Sequence, residues 1–285
     1  MPEAAARRGP VLELAAGGAV AASAAAYWTF MSPYSQRLGP FPYRGETTER
    51  VVALTFDDGP NDPYTSRIAD SLSEAGAVAT FFAVGACVER HPETARRLLR
   101  EGHVLGSHGY SHRFERCVGR AVLREEVRRA EEVIARELGV RPLLLRPPWL
   151  LRTPALFALA QERSLQLVSG EFAHVLEVFQ PSPERLARRA VAKVRPGSIL
   201  IFHDGFDARG GNRASTARAV ELVVAELSAR GYRFTTVDRL LSVPPYRDAD
   251  GGDRTAAATP ARRGREPARG TTPAAPAAGR RAASR

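Results

Sequence analysis

The chain has 285 residues, 44% of them hydrophobic and 25% charged, which excludes a wholly disordered protein and leaves room for one or two domains. Basic residues exceed acidic ones by ten, a balance that points first to nucleic acid or an anionic surface. Two cysteines, Cys87 and Cys117, exclude a disulfide scaffold and a four-thiolate metal site.

In chain order, Arg7 and Arg8 precede an uncharged run from Leu14 to Met31. The run approaches the ~20 residues that span a bilayer, but it is mostly Ala and Gly. Tyr27 and Trp28 suit a membrane interface, and Ala24-Ala25-Ala26 suits a cleavage site. Residues 1–45 therefore read as an anchor or signal segment plus linker, with an Ala-rich cytosolic extension as the third reading. The positive flank places the bulk of the chain outside the membrane.

The pattern changes at about Glu49. Val51 to Phe56 is a short apolar strand, and Tyr64 to Glu74 a helix stopped at Gly76. Val78 to Val84 is a strand, His91-Pro92 opens a helix ending at Gly102, and Val104 to Ser107 is the third strand. Leu123, Val127, Ala130, Ile134 and Leu138 form one helical face ending at Gly139. A strand at Leu143–Arg146, a helix at Thr153–Glu162 and a strand at Leu165–Ser169 follow. Ser182-Pro183 caps a helix running to Val194. Ser198–Phe202 is a strand, Val220 to Leu227 lies on a helix stopped by Gly231, and Tyr232–Val237 is the last strand. Alternating strands and helices imply a parallel sheet, either open and doubly wound or closed as a barrel. From Tyr246 to Arg285 nine Arg face three Asp and one Glu, half of the net charge. That stretch lacks apolar periodicity, so residues 244–285 read as a disordered basic tail. Its functional alternative is weak adhesion to anionic lipid, a teichoic-type polymer or nucleic acid.

Polar residues gather where the strands end, the rim on which parallel α/β folds place their sites. The first strand ends in Asp57-Asp58, two adjacent carboxylates for which a cation is the simplest partner. The third ends in His108 and His112, whose i, i+4 spacing would share one face of a helical turn and suits two imidazoles on one ion. One Asp and two His leave coordination positions open, as catalytic rather than structural sites do. Arg146 closes the fourth strand as a permanent cation able to orient a carboxylate. His203 closes a later strand as a proton donor near neutrality. Taken singly these are turn chemistry or chance; together they share one rim. No GxSxG elbow, Walker loop or GxGxxG at a strand end is present, so serine-hydrolase, NTPase and dinucleotide readings have no support.

The ordered set TFDDGP (Thr55–Pro60), HGYSH (His108–His112), RPPW (Arg146–Trp149) and IFHD (Ile201–Asp204) resembles the polysaccharide deacetylase (NodB-homology) family, carbohydrate esterase family 4. The stretches Asn61–Gly85 and His91–His108 are similar to it too, and the likeness covers about Arg50 to Leu241. It implies an α/β fold, a distorted (β/α) barrel of about seven parallel strands, in a catalytic domain at 46–243. It implies a metal-dependent hydrolase, zinc being the usual ion, that removes N-acetyl groups from an extracytoplasmic peptidoglycan or chitin-type glycan. Residue by residue it implies Asp58, His108 and His112 as metal ligands, Asp57 as base and Arg146 as its orienting partner. His203 would be the acid, Trp149 would lend a backbone N–H to the oxyanion, and Ile201 would line the acetyl-methyl pocket. Two positions depart from the family pattern. Gly109 stands where Ser or Thr is usual, and the acidic partner of His203 has no clean match in Leu167–Pro183, Glu171 and Glu177 being the candidates. A metal-binding but silent carbohydrate-binding domain is therefore the alternative function. Cys87 and Cys117 fall on the site's rim and either pair or stay as buried thiols. A monomer, membrane-anchored or secreted, without a specific nucleic-acid partner, is expected.

Overall fold

A computed structural model of the chain describes residues 10–247 and 253–254. Arg7, Arg8 and most of the expected basic tail lie outside the described residues. Eight strands form one parallel sheet: β1 (Val51–Asp57), β2 (Thr80–Ala83), β3 (Val104–Ser107), β4 (Leu144–Leu145), β5 (Gln166–Leu167), β6 (Glu171–Phe172), β7 (Ser198–His203) and β8 (Arg233–Phe234). Seven follow one path, β5-β4-β3-β2-β1-β7-β6, while β8 pairs with the start of β1 through Val51 and Val52. The edge strands β5 and β6 are four residues apart in sequence but do not pair, so the sheet curls into a distorted barrel with a slit.

Period-two alternation sorts the central strands. Val52, Leu54 and Phe56 of β1, Phe81 of β2 and Leu200 and Phe202 of β7 share the cluster that meets the helices. Phe56 stacks on Phe81 at 4.8 Å and on Phe202 at 5.8 Å between centroids. Ile68 and Leu72, Leu186 and Ala190, and Val220, Val223 and Leu227 cover this layer from three helices, α1 (Tyr64–Glu74), α2 (Pro183–Lys193) and α3 (Ala214–Ala229). The opposite face gathers Ala53, Phe82, Val104, Leu144, Val168 and Ile199 inside the curl. Thr55 and Asp57 share that parity, and the register pairs Asp57 with His203. The same alternation that builds the core thus turns both groups inward at one rim.

Two expected boundaries move. The segment after residue 30 is part of the body rather than a linker. Phe41 is fully buried against Leu156 and Leu159. Arg152, itself buried, donates to the carbonyls of Ser35 at 2.6 Å and Ser32 at 2.5 Å and stacks over Phe41. Ser169, inside the slit between β5 and β6, donates from Oγ to the Pro33 carbonyl and from N–H to the Pro42 carbonyl. A buried guanidinium with no carboxylate must find carbonyls, and this segment supplies them. At the other end Tyr246–Arg247 pairs antiparallel with Arg141–Pro142, and the Tyr246 hydroxyl accepts the Leu105 N–H at 2.9 Å. Tyr246 therefore belongs to the fold, not to a tail.

The N-terminal run forms a helix, Pro10–Phe30. Among the described residues no helix is long and apolar enough to cross a membrane. Ala and Gly carry little apolar surface per residue, so the expected anchor finds no support in this helix.

Candidate active site

Asp57, Asp58, His108, His112, Trp149 and His203 line one cleft of about 250 Å³ at the C-terminal rim of the sheet. The loop after β1 presents Asp58 with φ +76, and the chain reverses into Gly59, whose absent side chain leaves room for the Asp204 carboxylate. His108 and His112 do not sit on a helical turn as their spacing suggests. They lie in a loop that reverses at Gly109 (φ +78) and His112 (φ +52). Glycine at 109 suits this left-handed backbone, and its N–H reaches Ser107 Oγ.

The Asp58, His108 and His112 donor atoms lie within 4.8 Å of one another. Asp58 Oδ1 is 3.4 Å from His108 Nε2 and 3.1 Å from His112 Nε2. Ligands held ~2.0–2.1 Å from a tetrahedral ion stand ~3.3 Å apart, so the spacing fits one ion between them. Asp58 Oδ1 is buried without a hydrogen-bond donor, an acceptor that a cation would satisfy. Burial alone would raise the Asp58 pKa, but the adjacent His108 and His112 hold it well below the carboxylate range. Burial pushes the other way on His112, yet Asp58, Asp207 and Asp57 raise its pKa. The surroundings thus favour positive charge, whether a proton or a metal. The His108 Nδ1–H donates to the Arg146 carbonyl at 2.7 Å, which places the ring proton on that nitrogen and leaves Nε2 free to ligate. Asp207 Oδ1 lies 3.2 Å from His112 Nδ1, and its N–H donates to Asp58 Oδ2 at 3.2 Å. Sequence reasoning missed Asp207; its only signal was an acid four residues after His203.

Arg146 is fully buried and plugs the interior of the curl, its guanidinium carbon 4.1 Å above the Phe82 ring. It donates at 2.7 Å to each of Asp57 Oδ1, Thr55 Oγ1 and the Ser169 carbonyl. The fork is satisfied on both arms, so the guanidinium and the Asp57 carboxylate are fixed together.

The partner of His203 is Glu177, which sits in a short 3₁₀ turn, Glu177–Phe179. It is 1% exposed. Glu177 Oε2 lies 2.9 Å from His203 Nδ1 and Oε1 accepts the His203 N–H at 3.0 Å, while the Thr216 hydroxyl donates to Oε1 at 2.8 Å. The other candidate, Glu171, accepts from the Ser198 hydroxyl instead. Burial pushes the His203 pKa down, but the Glu177 charge and hydrogen bond, with Asp58 and Asp57 behind, raise it to about 9.

Trp149 stands at φ +54 beside His112, ring centroids 4.4 Å apart, with Phe114 against its other side. The turn's hydrogen bonds run from Leu150 to the Pro147 carbonyl and from Leu151 to the Pro148 carbonyl, leaving the Trp149 N–H out of it. Ile201 does not line the cleft; it is fully buried in the cluster around Phe41 and Leu145. The aliphatic residues at the cleft wall are Leu150, Val175 and Val178, and Phe172 and Phe206 add further apolar wall. Cys87 and Cys117 are both free and buried; burial raises their thiol pKa values to about 11 and about 12, far from reactive.

Residues 44–168 match the sequence profile described as polysaccharide deacetylase. A peptidoglycan-N-acetylglucosamine deacetylase of Bacillus cereus is 32% identical over 194 residues, covering 68% of this chain and 89% of that protein. A chitooligosaccharide deacetylase of Bradyrhizobium is 31% identical, over 67% of this chain and 90% of that protein. Among solved structures, that of the Bc1960 peptidoglycan N-acetylglucosamine deacetylase in complex with a hydroxamate superposes with a TM-score of 0.65 at 27% identity, covering 72% of this chain and 94% of that one. Fold, rim residues and relatives agree: the chain belongs to the polysaccharide deacetylase family, carbohydrate esterase family 4.

Proposed function

We propose that this chain is a metal-dependent N-deacetylase of an extracytoplasmic glycan, of the peptidoglycan or chitin type, with zinc held by Asp58, His108 and His112. The observation that carries the reading is the pairing across one cleft of two charged couples, Asp57 with Arg146 and His203 with Glu177. They stand on neighbouring strands with Asp57 and His203 in register, around the three donors for an ion. An ion there would supply Lewis-acid polarisation of the acetamide carbonyl and acidify water.

The chain's own residues do the rest. Asp57 accepts the proton of the attacking water, its carboxylate aimed by the Arg146 fork. The Trp149 N–H, free of the turn's own bonds, is positioned as a donor to the developing oxyanion. His203 then gives its Nε2 proton to the departing amine. Glu177 holds the opposite ring nitrogen, which fixes the tautomer and keeps the imidazolium populated at neutral pH. Leu150 and Trp149 offer the apolar wall suited to the acetyl methyl. Glu177 beside His203 supports this reading over a silent binding domain, whose motive was the want of an acidic partner for His203.

The test is acetate release from N-acetylglucosamine oligomers and from peptidoglycan, with and without chelator. Release that chelator abolishes and zinc restores is expected. No release from any acetylated glycan by the metal-loaded protein refutes the reading.

A further inference from the structure

Beside the catalytic cleft runs a second groove of about 360 Å³, lined by His174, Val175, Leu176, Arg185, Arg189 and Lys193. His174 and Val175 line both spaces, so the two adjoin at these residues. Arg185, Arg189 and Lys193 recur every four residues on α2 and so share one helical face. Among the described residues no carboxylate lies within 4.0 Å of any of the three; Arg67, Arg100 and Arg129 on other helices share that lack, but here it falls on three residues of one face. The acids whose charges reach His174 and Lys193 are engaged elsewhere: Glu177 by His203 and Thr216, Glu171 by Ser198.

The groove is also ordered. The Lys193 ammonium is fixed at 2.6 Å to the carbonyl of Phe172, a residue of the catalytic cleft wall. The Nδ1 of His174 accepts the Leu176 N–H at 3.0 Å, which leaves Nε2–H as the free donor of a neutral ring. Burial, then the charges of Arg185, Arg189 and Lys193, lower the His174 pKa, so all three cationic fields reach a residue that lines both spaces. Val175 and Leu176 are exposed and offer an apolar flank to a sugar ring.

We propose that this groove is an anion-recognising subsite that takes a carboxylate borne by the same glycan strand whose acetamide enters the cleft. The shared wall at His174 and Val175 is the argument for one molecule reaching both spaces: the anion would be tethered to an acetylated sugar. This makes the substrate class a carboxylate-bearing N-acetylated glycan rather than a neutral one, and it rests on the deacetylase reading.

The experiment compares acetate release from two oligomers of equal length, one of N-acetylglucosamine alone and one alternating with N-acetylmuramic acid, whose sugar carries a carboxylate. Wild type is set against Arg185→Gln/Arg189→Gln and Arg185→Lys/Arg189→Lys. Both positions are exposed, so folding is checked by circular dichroism and is expected unchanged. Two partly exposed ion pairs predict a KM increase of about 5- to 30-fold for the Gln pair on the carboxylate oligomer, with kcat kept. The neutral oligomer should show no change, the Lys pair should restore most of the loss, and 0.5 M salt should erase the preference. Equal KM changes on both oligomers, or none on either, overturn the subsite. If wild type releases acetate from neither, the deacetylase reading falls. Calorimetric binding of the two oligomers to wild type and the Gln pair then decides the subsite alone, and equal affinities overturn it.

Discussion

Replacing Glu177 by Gln isolates the charge that sets the acid. The side chain keeps its volume in a site that is 1% exposed, so packing against Thr216 and the His203 backbone is preserved. What is lost is the anion facing His203 Nδ1 at 2.9 Å. The His203 pKa stands at about 9 because this anion outweighs burial, which acts in the opposite direction. With the anion gone, burial is opposed only by the Asp58 and Asp57 charges, and the pKa falls from about 9 towards the ordinary 6.5. At pH 8 the wild-type imidazole is ~90% protonated and one at 6.5 only ~3%, a loss of ~30-fold in kcat through this group alone. Between the two pKa values the wild-type fraction is flat while the variant's falls ~tenfold per pH unit. The ratio of variant to wild-type kcat should therefore climb ~tenfold for each unit the pH is lowered from 8 towards 6.5. The assay is acetate release from a soluble acetylated oligomer across that range at saturating substrate and metal. A loss that is the same at every pH would mean that Glu177 is only a packing element. No loss would mean that His203 is not the acid.

Further outcomes follow from the same contacts. Asp57→Asn should keep metal binding, because Asp58, His108 and His112 are untouched, and lose ~10²–10⁴-fold in kcat; wild-type-like turnover would remove Asp57 from the mechanism. His112→Ala should lower zinc content in metal analysis well below one ion per chain, since it leaves two of the three donors. Arg146→Lys should lower both activity and Tm although charge is kept, because one ammonium cannot reach Asp57, Thr55 and the Ser169 carbonyl together; the destabilisation expected for a disrupted buried pair is about 3–5 kcal/mol by denaturant unfolding. Deleting residues up to Gly39 should yield an unstable protein, since Arg152 loses the Ser32 and Ser35 carbonyls, whereas deletion up to Tyr27 spares them; equal Tm values would show that the segment is dispensable. Buried His103 has its pKa lowered to about 4 by desolvation, so the unfolded chain binds more protons below pH 6.5. Stability is then full above pH 6.5 and falls between 6.5 and 4 by about 3 kcal/mol from this group. His103→Asn, which retains an acceptor for the Ala79 N–H, should flatten that part of the profile of Tm against pH.

Sequence reveals what local rules decide. The helix Tyr64–Glu74 and the strand Val104–Ser107 are found at their expected limits, because Gly76 stops the helix and Gly102 precedes a short apolar run that ends in polar residues. The left-handed Gly139 likewise closes its helix where the periodicity stops. β6 escaped notice because two residues carry no periodicity. They owe their pairing to β7, which is distant in sequence. Missing β6 also left Glu177 unplaced. The turn that delivers it starts five residues after that strand, and its partners, His203 and Thr216, come from β7 and α3. Asp207 was invisible for the same reason, since its contact with His112 crosses 95 residues of chain.

The Ala-rich N-terminus shows the converse error. Composition described what the run could do alone, but not what the fold lacks without the residues that follow it. A buried Arg152 with no carboxylate in reach, and a slit between β5 and β6 that exposes Ser169, are deficits of the rest of the sheet. Both are met by carbonyls of residues 32–42 that have no side-chain signature at all. Backbone acceptors carry no mark in a sequence, so this docking could be recognised only once the arginine was seen to need it. The same reasoning orders the site. Its charged couples were legible as residue types at strand ends, while the connections that turn them into an acid, a base and an ion cradle are long-range and belong to the fold.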